Sequence, residues 1–138
     1  MKFNPKIRVY GDLEWRGKCP KENIEQVTFF NQIRKKYPDT YGKIAVHTRN
    51  EGKRTEQQTM FLKIEGMVTG ASDVFIPGNP SFVCEIKRQD HTQSHWQNDQ
   101  ESYLLIAQDL GSFACVALGY EAALQSLEEW INGTYSRQ

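Results

Sequence analysis

The chain has 138 residues, of which 38% are apolar and 25% charged, and its formal net charge is zero. This length suits one domain with a single core, and no stretch reaches the ~18 to 20 apolar residues of a membrane span, so we expect no membrane partner. The balanced charge disfavours a protein that coats nucleic acid without selectivity.

Residues 1–18 are expected to form either an edge strand or an arm that reaches a partner subunit, and residues 19–138 a single domain. Ile7 to Tyr10 shows the alternation of a short strand. Met1 to Tyr10 lacks the apolar block and cleavage site of a signal peptide. The cysteines are odd in number and widely spaced, which indicates reduced thiols. These features together predict a cytoplasmic protein.

A helix is predicted from Pro20 to Tyr37, because a proline suits the first turn and Pro38 prevents continuation. At 100° per residue, Glu22 and Gln26 fall on the apolar side of this helix, whereas Glu25 points away. Polar groups on an apolar face are costly unless a polar site lies beneath them. Glu22 and Gln26 are therefore candidate functional residues.

The middle of the chain predicts a short strand at Lys43 to Thr48, a helix at about Thr55 to Ile64, and a glycine-containing loop that leads to Asp73. Val74 to Ile76 and Phe82 to Ile86 are predicted strands. The Pro-Gly-Asn-Pro sequence between them has strong turn composition. These two strands therefore form a β-hairpin.

Thr92 to Leu110 is predicted to be the longest helix, ended by Gly111, with a buried side that Gln100 interrupts. Phe113 to Leu118 is almost wholly apolar and predicts a strand covered on both faces, followed by an amphipathic helix at Tyr120 to Ile131. The order of elements predicts an α/β fold with a central mixed sheet that contains the hairpin and is flanked by helices. The predicted buried side of the longest helix comprises Trp96, Gln100, Tyr103, Leu104, Ala107 and Leu110.

The second hairpin strand carries an acid and a base on one face. Because side chains alternate along a strand, Glu85 and Lys87 lie beside Val83, opposite the face of Cys84. Two charges that lose their hydration there need compensation by a cation or an anionic substrate. An ordinary cross-strand ion pair near the end of the strand is the alternative interpretation.

Asp73 joins this pair because the hairpin returns it to the neighbourhood of Glu85. Converging carboxylates are the oxygen ligands that Mg²⁺ prefers, with waters and substrate phosphate completing its shell. A four-residue turn would pair Asp73 with Cys84, which faces the wrong way. We therefore expect a bulge or bend next to Asp73.

Ser72-Asp73 followed by Glu85-Ile86-Lys87 resembles the PD-(D/E)xK nuclease motif, with serine in the place of the usual proline. Two glycines ahead of the aspartate, Gln100 at the opening of a helix, and the apolar strand and helix that follow are similar to the virus-type replication-repair nuclease (VRR-Nuc) family. The similarity covers about Glu22 to Trp130. A second departure is that Gln89 to Gln97 lacks the family's usual glycine and is richer in histidine.

The resemblance implies a restriction-endonuclease-like core in a stand-alone domain of the phage type, acting in a bacterial cell or a phage-infected host. It implies one or two Mg²⁺ ions, replaceable by Mn²⁺, held by Asp73, Glu85 and the backbone carbonyl of Ile86. Such ions polarise a phosphoryl oxygen and lower the pKa of an attacking water. The implied products carry a 5′-phosphate and a 3′-hydroxyl.

Three further residues receive roles from the same resemblance. Lys87 would position the attacking water or stabilise the charge of the transition state. Glu22 would orient a water or hold a second ion, with Gln26 four residues on as in the family. Gln100 would donate a hydrogen bond to Lys87, to the water or to a phosphate oxygen.

The implied partner is DNA. A homodimer that cuts branched DNA such as a four-way junction fits the family's short chains, since two sites related by a two-fold axis nick opposing strands. The alternatives are a nuclease of other DNA specificity and a non-catalytic DNA-binding or assembly protein that keeps the fold. Concentrated carboxylates disfavour the second alternative, because they repel phosphate. The side chains expected to contact DNA are Gln26, Arg49, Lys53, Arg54, Arg88, His91 and His95.

Overall fold

A computed structural model describes residues 1–48 and 54–133, which form one five-stranded sheet with helices on both faces. The strands are β1 (Arg8–Tyr10), β2 (Val46–His47), β3 (Val74–Ile76), β4 (Phe82–Lys87) and β5 (Phe113–Leu118). The α-helices are α1 (Glu22–Lys36), α2 (Tyr41–Ile44), α3 (Glu56–Ile64), α4 (Gln100–Asp109) and α5 (Tyr120–Asn132), and His91–Gln93 forms a 3₁₀ turn. The predicted α/β class, with a mixed sheet and a hairpin flanked by helices, is confirmed.

The sheet has the strand order β1-β5-β4-β3-β2. β1, β5 and β4 run parallel, while β3 is antiparallel to both β4 and β2. All six residues of β5 are buried, which explains its continuous apolar sequence. β1 is a short edge strand, which is one of the two alternatives expected for residues 1–18.

The two faces of the sheet bury different clusters. The first face, with Cys84 and Ile86 of β4, packs against the apolar sides of α1 and α5. The second face, with Val83 of β4, packs against Leu104 of α4 and against the N-terminal segment through Ile7. Glu85 and Lys87 share the second face with Val83, so the charged pair lies beneath α4.

The strand predicted at Lys43 to Thr48 is wrong in extent. Residues 41–44 form the short helix α2, and only Val46–His47 pairs with β3. The cause is tight packing against the end of α1, where the Gly42 N–H donates to the Tyr37 carbonyl at 2.9 Å. A Cβ atom on Gly42 would lie 2.5 Å from the Ile33 carbonyl oxygen, so this helical turn depends on the glycine.

The long helix predicted at Thr92 to Leu110 is also wrong in extent, since α4 has 10 residues and is shorter than α1 with 15. Before it the chain leaves helical geometry: Asp99 has a φ of 67°, and the His95 carbonyl accepts a hydrogen bond from Lys87 at 2.9 Å. Tertiary contacts thus override the helical pattern. Leu110, predicted to be buried, follows the last helical residue and is 83% exposed.

The other predicted helices are confirmed, with ends shifted by a residue or two. Thr55 caps α3 through a capping box with Gln58, in which each side chain bonds the other residue's backbone N–H. In the part of the chain that the model describes, none of the helices combines the length and the apolar character needed to cross a membrane.

Candidate active site

The register of the hairpin places Asp73 opposite Glu85. Val74 pairs with Cys84 and Ile76 with Phe82, so the connection spans five residues, 77–81, rather than four. Continued by one residue, this register sets Asp73 against Glu85 directly. The bulge expected next to Asp73 is therefore wrong, because the extra residue that corrects the facing lies in the turn.

Asp73 and Glu85 present two carboxylates from neighbouring strands. Asp73 Oδ2 accepts the Ile86 N–H at 2.8 Å, and the Asp73 carbonyl accepts the Thr48 N–H at 3.2 Å. Glu85 is only 1% exposed, and its Oε1 accepts a hydrogen bond from Gln100 Nε2 at 3.0 Å. Its other oxygen, Oε2, is buried and accepts no hydrogen bond from the described residues, although the Glu85 carboxyl is close enough to that of Asp73 to share a proton with it. A carboxylate oxygen in that position lacks the compensation that burial demands.

Lys87 is fully buried and surrounded by acceptors. Its Nζ donates to the His95 carbonyl and to Gln100 Oε1, each at 2.9 Å. The carboxylates of Glu22 and Glu85 lie 3.6 and 3.7 Å from the same nitrogen. Two of the three ammonium protons are thus held by neutral acceptors, which leaves the third for the carboxylate side of the site.

Gln100 links Lys87 to Glu85 through its side-chain amide. Its Oε1 accepts from Lys87 and from the Gln97 N–H, while its amide nitrogen donates to Glu85. The expected donation from Gln100 to Lys87 is wrong, because an ammonium group has only donors and the amide must accept. The placement of Gln100 at the site agrees with its interruption of the apolar stripe.

Glu22 reaches the site from the first turn of α1 and is held there by Ser94. Ser94 Oγ donates to Glu22 Oε2 at 2.8 Å and accepts the Arg88 N–H at 3.1 Å. The sequence analysis missed Ser94, since a serine in a predicted helix carries no pattern that marks it. The only available signal was its position in a polar stretch between the lysine and the glutamine of the site.

Glu25, expected to point away from the protein, is 4% exposed, and that expectation is wrong. Its Oε2 accepts the Tyr120 N–H at 3.2 Å at the start of α5. A helix start carries positive partial charge and unpaired N–H groups, so it is a suitable partner for a buried carboxylate. α1 therefore packs against α5 along a second side. The single apolar stripe in the sequence of α1 does not reveal that side.

The site has a surplus of buried negative charge. Burial, and after it the charge of Asp73, raise the pKa of Glu85 well above its usual range. Burial also raises the pKa of Asp73. Both directions mean that the lost hydration of the two carboxylates outweighs the attraction of Lys87. The pair is thus electrostatically prepared for a further cation.

Asp73 and Glu85 open into a cleft of ≈ 450 Å³. Its lining contains acids and neutral polar groups, namely Glu22, Thr48, Thr69, Gly70, Ala71, Asp73, Glu85, Gln97, Asn98 and Gln100. Among the described residues, no three or more His, Cys, Asp or Glu side chains converge as a ready cage for an ion. Mg²⁺ binds through one or two carboxylates and takes its other ligands from water and phosphate. The bare Glu85 Oε2 provides a ligand atom of the right chemistry, so the residues fit this metal.

The residues expected to contact DNA lie in different surroundings. His91 is 8% exposed, and its ring nitrogens lie 3.0 Å from the Met1 amine and from the Leu13 carbonyl, so it fastens the N-terminal segment instead. Arg88 donates to the Cys19 carbonyl at 2.7 Å. His95 is exposed beside the site, with its ring 2.9 Å from the Gln97 amide.

Of the remaining expected DNA contacts, Arg54 and Gln26 lie outside the described lining of the cleft. Arg54 donates to Met67 Sδ at 3.3 Å. Gln26 is half-buried on α1 and does not belong to the described lining of the cleft. Arg49 and Lys53 lie outside the described residues.

No protein-family model matches the chain, and no curated protein matches it in sequence. Among solved structures, the fold is similar to that of a chain described as a VRR_NUC domain protein, with a TM-score of 0.67 and 18% sequence identity. The similarity covers 83% of this chain and 91% of that chain. At this identity it shows a common fold, a mixed five-stranded sheet flanked by helices. The chemistry of the cleft therefore has to be argued from its own geometry.

Proposed function

We propose that this chain is a metal-dependent DNA endonuclease that hydrolyses phosphodiester bonds in the cleft at Asp73 and Glu85. The observation that carries the proposal is the pair of carboxylates of Asp73 and Glu85, close enough to share a proton and on the same face as the buried Lys87, with Glu85 Oε2 accepting no hydrogen bond from the described residues. An ordinary ion pair would satisfy its own oxygens. A similar fold in a VRR_NUC domain protein supports the same proposal.

Asp73 and Glu85 would hold Mg²⁺, or Mn²⁺ in its place, together with the backbone carbonyl of Ile86. In an antiparallel ladder the N–H and C=O of one residue point to the same neighbouring strand. Because the Ile86 N–H is directed at Asp73, the Ile86 carbonyl is directed to that side as well. If these residues held such an ion, it would supply Lewis-acid chemistry, polarising a phosphoryl oxygen and lowering the pKa of water.

Lys87 supplies a positive charge that is set in place before substrate arrives. Its ammonium is held by Gln100 and the His95 carbonyl, so little reorganisation is needed when negative charge develops on the phosphoryl group. Glu22, 3.6 Å from this ammonium and partly exposed, would orient a water molecule. Gln100 keeps the ammonium and Glu85 in fixed relation.

We further propose selectivity for branched DNA, with two copies of the chain acting together. One cleft with one reactive centre cuts one strand, so paired cuts on opposing strands require two clefts related by symmetry. The resemblance of the motif to short stand-alone VRR-Nuc domains supports this choice.

The function is tested by incubating purified protein with supercoiled plasmid and with a synthetic four-way junction, in Mg²⁺, in Mn²⁺ and in chelator. We expect cleavage only with a divalent ion, and a loss of at least about 100-fold in Asp73→Asn and Lys87→Met, the size typical of removing one electrostatic group. Asp39→Asn, a matched change at an exposed position, should cleave like wild type.

The outcomes separate the alternatives. Wild-type protein that retains DNA but leaves it intact in both ions would overturn the enzyme in favour of a binding protein. If linear duplex is cleaved as fast as the junction, the proposed selectivity for branched DNA is wrong, but the endonuclease activity stands. If light scattering of the purified protein gives the mass of one chain both with and without the junction, the proposed dimer is wrong.

A further inference from the structure

Among the described residues, the lining of the cleft carries no exposed cation to hold the phosphates on either side of the one it would cleave. Its described lining contains three carboxylates and otherwise neutral groups, and Lys87 is 0% exposed. A nucleic-acid strand carries a negative charge about every 3.4 Å along its axis, and affinity for it comes chiefly from lysine and arginine. The cations that bind the flanking phosphates must therefore lie outside the lining.

The segment from Arg16 to Lys21, here called the basic segment, has the composition for this task. It contains Arg16, Lys18 and Lys21 and no acidic residue, and all three cationic side chains are exposed. Arg16 donates to the Leu13 and Trp15 carbonyls at 2.9 and 2.8 Å, so its guanidinium supports the local chain. Lys18 and Lys21 are left as the charges that face solvent.

The basic segment ends at the mouth of the cleft. Lys21 directly precedes Glu22, whose carboxylate lies 3.6 Å from Lys87 Nζ. Lys18 is four residues from Glu22, a span of at most about 14 Å, or roughly four phosphates along one strand. Lys35, at the other end of the same helix, is about 20 Å from Glu22 at 1.5 Å per residue.

Hydrogen bonds fasten the basic segment to the loop that follows β4. Arg88, next to Lys87, donates to the Cys19 carbonyl at 2.7 Å. Asp90 accepts the Gly17 N–H at 3.2 Å, and Gln93 donates to the Gly17 carbonyl at 2.9 Å. The segment is thus fixed relative to the reactive centre, which is what a surface that sets the register of a substrate requires.

We infer that Lys18 and Lys21 bind the sugar-phosphate backbone of the DNA strand next to the scissile phosphate, and so hold that strand in register with Asp73 and Glu85. This inference rests on the proposed function. It replaces His91 and Arg88 as DNA contacts, because Arg88 anchors the basic segment and His91 fastens the chain ahead of it, at Met1 and Leu13.

The test measures binding in chelator, where no cleavage occurs, by the fluorescence anisotropy of a labelled four-way junction with duplex arms over a range of salt concentrations. For Lys18→Ala/Lys21→Ala we expect about tenfold weaker binding and a salt slope smaller by about 1.8, since each phosphate contact contributes about 0.9. Lys18→Arg/Lys21→Arg should restore both values. Lys35→Ala/Lys43→Ala, the matched removal of two exposed lysines, one in the last turn of α1 and one in α2, should behave like wild type.

The results distinguish this inference from the function on which it rests. An unchanged slope in Lys18→Ala/Lys21→Ala, an equal change in the control pair, or a wild type that does not bind the junction overturns the inference. If wild type binds with the expected slope difference but cleaves nothing in Mg²⁺ or Mn²⁺, the endonuclease falls and the binding surface stands. Circular dichroism melts of each variant exclude unfolding as the cause of a loss.

Discussion

Gly70 is the residue at which two walls of the cleft meet. It has a φ of 83°, and a Cβ atom there would lie 2.4 Å from the Asp99 carbonyl carbon and 2.6 Å from its oxygen. Those are backbone atoms at the start of α4, so they have no rotamer by which to move aside. The close approach brings the loop before Asp73 against the loop before Gln100, and both loops line the cleft.

Gly70→Ala should therefore damage both stability and activity. We expect a loss of about 2 to 5 kcal/mol in the free energy of unfolding, from the positive φ and from overpacking, and a marked fall in DNA cleavage as the walls separate. Gly66→Ala is the control, because Gly66 also has a positive φ, 114°, but nothing lies within 4 Å of the added Cβ. Denaturant unfolding and cleavage rates that are equal for the two variants would contradict this reading of the contact.

Ser94 is predicted to act as a positioning residue for Glu22. Ser94→Ala removes the hydrogen bond to the Glu22 carboxylate, an interaction with a charged group that contributes about 1.5 to 3 kcal/mol. We expect about a tenfold loss of kcat with little change in KM, because Ser94 does not touch substrate. Ser102→Ala, at an exposed serine of α4, should leave kcat unchanged. A rise in KM at constant kcat would instead show that Ser94 contributes to binding.

For single residues, the sequence identified site residues that interrupt an apolar pattern and missed site residues that do not. Glu22 and Gln100 stood out because a polar group on a buried face needs a partner, and both partners exist. Glu25 was misplaced because its partner, the start of α5, lies almost a hundred residues away in sequence. The unpaired oxygen of Glu85 depends on tertiary geometry alone, which no local pattern encodes.

The contact between α1 and α5 contains one buried carboxylate, that of Glu25, which accepts the first N–H of α5. Burial raises the pKa of Glu25, although the Tyr120 N–H opposes this. A raised pKa means that the folded state binds the proton more tightly than the unfolded chain does. The stabilisation from that proton is fully present below the unfolded pKa near 4.5 and is lost as pH rises through the folded pKa.

Glu25→Gln should consequently flatten the pH dependence of stability. The glutamine oxygen still accepts the Tyr120 N–H but does not titrate, so wild type should gain on the variant as the pH falls from 7 towards 4. Urea unfolding at several pH values measures the difference. Glu25→Ala, which does not titrate either and leaves the N–H uncovered, should be about 1 kcal/mol less stable than Glu25→Gln at every pH. A wild-type advantage that shrinks on acidification would reverse the sign of the argument.

At the scale of elements, the sequence predicted those that local signals define and failed where a distant group competes. Thr55 and the Pro-Gly-Asn-Pro turn set α3 and the hairpin by local chemistry. The segment 92–99 has a helical pattern, but the buried ammonium of Lys87 needs the His95 carbonyl, and a carbonyl inside a helix already accepts an N–H. The demand of one charge thus shortens a helix by two turns.

The whole molecule buries the acids and the lysine of the cleft on one face of a sheet whose other face packs mainly apolar side chains. The parallel strands β4 and β5 and the helices around them bury Glu85 and Lys87 almost completely. A domain of this size has only a small net free energy of unfolding, so the cost of burying an anion without a partner is large in comparison. Ion binding at the cleft should therefore stabilise the entire fold, and the effect should be visible without any substrate.

We predict that Mg²⁺ at tenfold excess over its dissociation constant raises the free energy of unfolding by about 1.4 kcal/mol, or roughly 5 °C in Tm. Asp73→Asn should abolish this shift. In chelator the same variant should melt at or above the wild-type temperature, because asparagine still accepts the Ile86 N–H and removes the repulsion on Glu85. Calorimetry with and without Mg²⁺ measures both effects. If Asp73→Asn melts below wild type in chelator and its Tm still rises in Mg²⁺, the ion binds elsewhere. A ligand of the ion should behave in the opposite way, because its replacement relieves repulsion without the ion and removes the response to the ion.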